Sequence, residues 1–106
     1  MNKTIRSQVA LAVVLSVAGA VGFAQSGGEA TYNTNCKSCH GATGTPSAGM
    51  AKMMGIKAAS DPDMQKLTAA QMFDSVKNGK NKMKPFKDKL TDDQIKEVVA
   101  YFRTLK

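Results

Sequence analysis

The sequence predicts an all-α domain, and three observations carry that prediction. No stretch longer than three residues alternates apolar and polar side chains as a half-exposed strand does. Residues 67–72 and 90–95 carry the same helix-start chemistry in the same order. The chain has 106 residues, enough for one domain with little left for a second.

The first element is an address. Lys3 and Arg6 precede an apolar run from Val9 to Val21, broken only by Ser16 and Gly19. Gly22-Phe23-Ala24-Gln25 then places small residues where a signal peptidase reads, with Ala18-Gly19-Ala20 as a weaker cleavage site. This is the three-part pattern of a secretory leader, residues 1–24, ahead of a mature domain of residues 25–106. The apolar run is about thirteen residues, short of the roughly twenty that span a bilayer. An uncleaved anchor is the alternative. Removal of Lys3 and Arg6 with the leader takes the net charge from +7 to +5.

A first helix is expected from residue 29 to about residue 36. Its Thr and Asn content gives poor propensity, so packing must hold it. Tyr32 shares a face with Cys36 and can bury against the last helix. Residues 41–47 form a loop with two glycines and Pro46. Residues 48–54 give one or two helical turns, and Asp61-Pro62 marks a turn or helix start. Thr68 and Gln71 form a capping box, with Leu67 and Met72 at its staple positions. That helix runs to about Asn78 and stops at Gly79 in the left-handed conformation. Thr91 and Gln94 repeat the box, with Asp92 and Asp93 at the helix's positive end. Ile95, Val98, Val99 and Phe102 then form the stripe of an amphipathic helix. Arg103 and Lys106 lie near its C-terminus, where positive charge is favoured.

Composition narrows the chemistry. Hydrophobic residues make up 42% and charged residues 22% of the chain, which excludes a disordered or collagen-like one. Two cysteines cannot build a disulfide framework, and one histidine forbids any site that needs two.

Those three residues fall together, in Cys36-Lys37-Ser38-Cys39-His40, the C-x-x-C-H signal for covalent haem attachment. Two thiols three positions apart can form thioethers to the two vinyl groups of one haem, and the adjacent histidine can ligate its iron. A permanent cofactor suits an exported protein and gives a small chain the core it lacks. The rival readings are weaker. A redox C-x-x-C needs a βαβ setting. A structural zinc site wants four N or S ligands, where only three Cys and His residues exist. A Cys36–Cys39 disulfide closes too small a loop to stabilise much.

With no second histidine, the sixth iron position falls to methionine, a weak ligand or an open site. Met72 is explained as helix core. Met50, Met53 and Met54 can line the haem pocket, although irregular core filling also explains them. Met64 has no distinguishing context. Met83 stands in Lys80-Asn81-Lys82-Met83-Lys84-Pro85-Phe86, where no helical stripe accounts for an apolar residue among lysines. It is the favoured ligand, with Met50, Met53 and Met54 as the alternatives. Pro85 stiffens the loop behind it and Phe86 can anchor it.

With these motifs in place the sequence resembles the class I c-type cytochromes, small monohaem electron carriers of the bacterial periplasm. The resemblance covers almost the whole mature chain. It rests on Cys36-x-x-Cys39-His40, on Met83 with Pro85 and Phe86, and on Leu90-Thr91-Asp92-Asp93-Gln94-Ile95 running into Val98-Val99-Ala100-Tyr101-Phe102. It implies three to five short helices wrapped around one haem c held by Cys36 and Cys39. His40 and Met83 would be the axial iron ligands, and Tyr32 would meet Val99 or Phe102 where the first and last helices cross. A carbonyl of Thr45 or Pro46 would orient His40. One departure is Lys84, which separates Met83 from the proline that often follows the ligand directly.

Lys77, Lys80, Lys82, Lys84, Lys87 and Lys89 surround Met83, opposed there only by Asp88. A positive rim of this kind steers acidic redox partners, with Lys80, Lys82, Lys84 and Lys87 as the docking candidates. The expected function is that of a periplasmic, monomeric, non-enzymatic electron carrier between partners of a respiratory chain, such as an oxidase, reductase or dehydrogenase. The alternative is a haem ligand-binding, sensor or peroxidase-like protein with an open sixth position. Nucleic-acid binding lacks any motif.

Overall fold

The computed structural model describes residues 18–106, so most of the predicted leader lies outside the described residues. Six helices follow in order: α1 (Ala18–Asn35), α2 (Lys37–His40), α3 (Ala48–Met54), α4 (Pro62–Gln65), α5 (Ala69–Asn78) and α6 (Asp92–Phe102). Helices α2 and α4 are single turns. Among the described residues no strand forms, and one isolated antiparallel bridge joins Lys80 to Met83. The predicted all-α class is what forms.

Local chemistry sets α3 to α6. Ser47 caps α3 by accepting from the Met50 amide at 3.2 Å, and Asp61 caps α4 by accepting from the Asp63 amide at 2.8 Å. Both capping boxes close. The Thr68 hydroxyl accepts from the Gln71 amide at 3.1 Å while Gln71 accepts from the Thr68 amide at 2.9 Å. Thr91 and Gln94 repeat those bonds at the same lengths. α5 ends before Gly79 as expected, but Gly79 takes φ 84 and ψ 159 rather than the left-handed helical conformation. That extended form is open essentially to glycine alone.

The N-terminal helix departs from expectation: it is already formed at Ala18, the first described residue, rather than starting near Glu29. No proline interrupts residues 18–28, although Gly19, Gly22, Gly27 and Gly28 lower the propensity there. α1 crosses α6 closely. A Cβ on Gly28 would overlap the Glu97 carbonyl oxygen and lie 3.0 Å from Tyr101 Cβ. Tyr32 sits at the same crossing, 1% exposed, with its ring 5.3 Å from that of Tyr101 and 6.2 Å from that of Phe102.

The core gathers Tyr32, Cys36, Met72, Phe86, Leu90, Ile95, Val98 and Val99, bringing α1, α5, α6 and the segment between α5 and α6 into one cluster. Arg103 does more than favour a helix end: it donates to the Leu67 carbonyl at 2.7 Å and so ties the end of α6 to the approach to α5.

Candidate functional site

The cysteines and the histidine stand where the core meets the loop after α2. Cys36 accepts the His40 amide at 2.9 Å and gives its own amide to Tyr32, at the end of α1, at 2.8 Å. One helical turn therefore fixes Cys36, Cys39 and His40, with the cysteines three residues apart on the same side. No disulfide joins them. Burial first, and then Cys39, pushes the Cys36 thiol up to about 11. A redox dithiol needs the opposite shift, so thiol–disulfide chemistry is disfavoured. Burial also lowers the His40 pKa, which keeps the imidazole neutral and able to ligate.

The surroundings of His40 differ from expectation. Its Nδ1 is buried without a hydrogen-bond partner, so neither Thr45 nor Pro46 orients it by that bond. The Thr45 carbonyl instead packs against Gly41, where a Cβ would overlap it and where φ is 86°. What braces the turn is Tyr32, whose hydroxyl donates to the Gly41 carbonyl at 2.6 Å. The Phe102 ring meets His40 edge-on at 5.7 Å.

Met83 lies in a tight turn. Lys80 and Met83 exchange backbone hydrogen bonds of 3.0 and 2.9 Å, and Asn81 takes φ 54 to close it. Buried Phe86 anchors the following chain by giving its amide to the Val76 carbonyl of α5 at 2.9 Å. Met83 is half-buried against the core cluster that contains Cys36. The other methionines separate from it. Met72 is core, with its sulfur 3.9 Å from an Arg103 guanidinium nitrogen. Met53 is 62% exposed, and Met50, Met54 and Met64 are not among the residues packed on the core.

Among the described residues no three His, Cys, Asp or Glu side chains converge as a metal cluster. Two cysteines on one turn that are not joined to each other, a neutral imidazole with an unpartnered nitrogen, and a methionine turn packed on the same core do fit haem c.

The chain matches the family described as cytochrome c oxidase, cbb3-type, subunit III, over residues 24–102. The chain belongs to this family of c-type cytochromes. It is 29% identical over 108 residues to cytochrome c-555 of Methylococcus capsulatus, covering 94% of this chain and 82% of that protein. It also resembles the solved KustC0563 c-type cytochrome, with a TM-score of 0.68 and 31% identity over 74% of this chain and 96% of the other. A tyrosine-to-phenylalanine variant of that protein gives a TM-score of 0.66 and 30% identity, covering 74% and 98% of the two chains. As a small class I c-type cytochrome the chain is an electron carrier with covalently bound haem c. Among the described residues of this cytochrome no helix is long and apolar enough to cross a membrane.

The lysines are not equivalent. Lys77 is paired with Asp92 at 3.2 Å, and Lys82 donates to the Met53 carbonyl at 2.9 Å. Lys80, Lys84, Lys87 and Lys89 are exposed. Sequence reasoning missed Gly28, the partner of the Tyr32 hydroxyl, and the Lys82 contact. Gly28 left one signal: it stands four residues before Tyr32, on the same helix face.

Proposed function

We propose that this cytochrome is a periplasmic, monomeric single-electron carrier serving a respiratory chain, exported by its leader and transforming no substrate. Cys36 and Cys39 would form the thioethers to haem c, and His40 and Met83 would ligate its iron. When bound, the haem supplies one iron that alternates between ferric and ferrous and so passes single electrons. The protein's part is to hold that iron in place. Cys36, just before α2, and Cys39 within it would fix the group to one turn, and His40 would supply a neutral imidazole.

The observation that carries Met83 is its packing. Among the described methionines apart from core Met72, it alone lies against the core cluster, on a turn closed by its own backbone hydrogen bonds. A thioether ligand favours the reduced iron relative to harder ligands. A ligand-binding or peroxidase-like protein would need that position open. In the matured protein, Met83→Ala is expected to abolish the weak thioether-to-ferric-iron charge-transfer band, lower the reduction potential and admit carbon monoxide. Survival of the band would return the ligand role to Met50, Met53 or Met54.

Lys80, Lys84 and Lys87 are exposed on the chain around Met83, and Lys82 borders them. Their charge favours an acidic partner and a small, quickly dissociating interface. The bimolecular rate of reduction by an acidic partner is expected to fall steeply as salt rises. Stopped-flow measurements across ionic strength test this, and a flat dependence would remove the rim from the docking surface.

A further inference from the structure

The turn that carries Met83 is well tied on one side. Phe86 and Lys87 give their amides to Val76 and Lys77 of α5 at 2.9 and 3.2 Å. Towards the chain on the histidine side, residues 41–66, one hydrogen bond joins it among the described residues: Lys82 Nζ to the Met53 carbonyl at 2.9 Å, across 29 positions of sequence. Met53 lies in the last turn of α3, where carbonyls have no helical partner and the helix dipole is negative. An ammonium is the group that end of a helix favours. Gly55 ends α3 in the left-handed conformation, at φ 69, and no backbone N–H caps those carbonyls.

We propose that Lys82 is a positioning residue for Met83, a clasp that closes the methionine turn onto α3. The inference rests on Met83 being the iron ligand. Lys82 is bonded to the protein's own backbone, whereas Lys84, two positions on, points its ammonium over the Phe86 ring at 5.9 Å and touches no part of α3 in the described contacts. The two lysines flank Met83 and carry the same charge, so they separate clasp from charge. Opening the turn would withdraw Met83 from the group it is proposed to hold, and the clasp sets how often that happens.

The experiment uses the matured, haem-bearing protein and external imidazole as the competing ligand, read by loss of the thioether charge-transfer band. Lys82→Leu keeps an apolar stem and removes the donor without adding a second sulfur ligand; Lys82→Arg restores the donor; Lys84→Leu removes a neighbouring charge. One lost hydrogen bond of this kind predicts that Lys82→Leu takes up imidazole about fivefold more readily. Lys82→Arg should stay near wild type, and so should Lys84→Leu. Equal displacement in wild type and Lys82→Leu overturns the clasp. So does an equal rise in Lys82→Leu and Lys84→Leu, which would make it a charge effect. A wild-type protein without the band overturns Met83 ligation itself, and the clasp with it; an intact band with unchanged displacement overturns the clasp alone.

Discussion

Tyr32 shows what one side chain does here. Its ring fills the α1–α6 crossing while its hydroxyl reaches Gly41, the residue after His40. Tyr32→Phe keeps the ring and strands the Gly41 carbonyl, and is expected to cost about 1 kcal/mol in chemical denaturation. Burial first, then Cys36 and Tyr101, raises the phenol from 10.0 to about 12. The folded state therefore keeps a proton that the unfolded chain releases near its ordinary pKa. The resulting stability is complete below pH 10 and is lost as pH climbs towards about 12. Denaturation midpoints measured on both sides of pH 10 should fall more steeply for wild type than for Tyr32→Phe. The burial of Tyr32 was legible from its spacing to Cys36. Its hydrogen bond was not, because no local rule joins a tyrosine to a carbonyl nine residues away.

At the scale of helices, two opposing effects meet at Gly28. Intrinsic propensity says that alanine in a helix interior is better than glycine by about 1 kcal/mol. The crossing says otherwise, since the new Cβ would overlap the Glu97 carbonyl oxygen. That oxygen belongs to the α6 backbone and cannot swing aside as a flexible side chain would. The crossing wins, and Gly28→Ala is expected to lower stability by about 1–3 kcal/mol, read as a fall in the thermal midpoint. The starts of α5 and α6 were legible in the sequence because a capping box lies within four residues. The N-terminal reach of α1 was not legible, because residues 18–24 read as the end of a secretory leader, whereas the helix runs through them.

The molecule as a whole has few means of holding itself together. Its core cluster is eight residues, and no polar side chain is buried with it among the described residues. A chain this short, with so small a core, is close to the size range in which a staple, a metal or a cofactor is usually added. The double variant Cys36→Ser with Cys39→Ser is therefore expected to lose covalent haem, seen as the absence of a haem stain after denaturing electrophoresis. It should also lose most helical signal in far-ultraviolet circular dichroism. Retention of a cooperative melt would show that the apolar core suffices alone.

The sequence by itself determined the helical class, the capping boxes, the cysteine–histidine turn and Met83 as the methionine that no helix explains. Each is written within a few consecutive positions, where hydrogen-bond and side-chain geometry follow from spacing. Only the tertiary structure decided that Gly28 sets the approach of α1 to α6, that Tyr32 braces the turn at His40, and that Lys82 bridges to α3. Those contacts join residues far apart in the chain, and they exist because burial of the shared core brings the helices that carry them together.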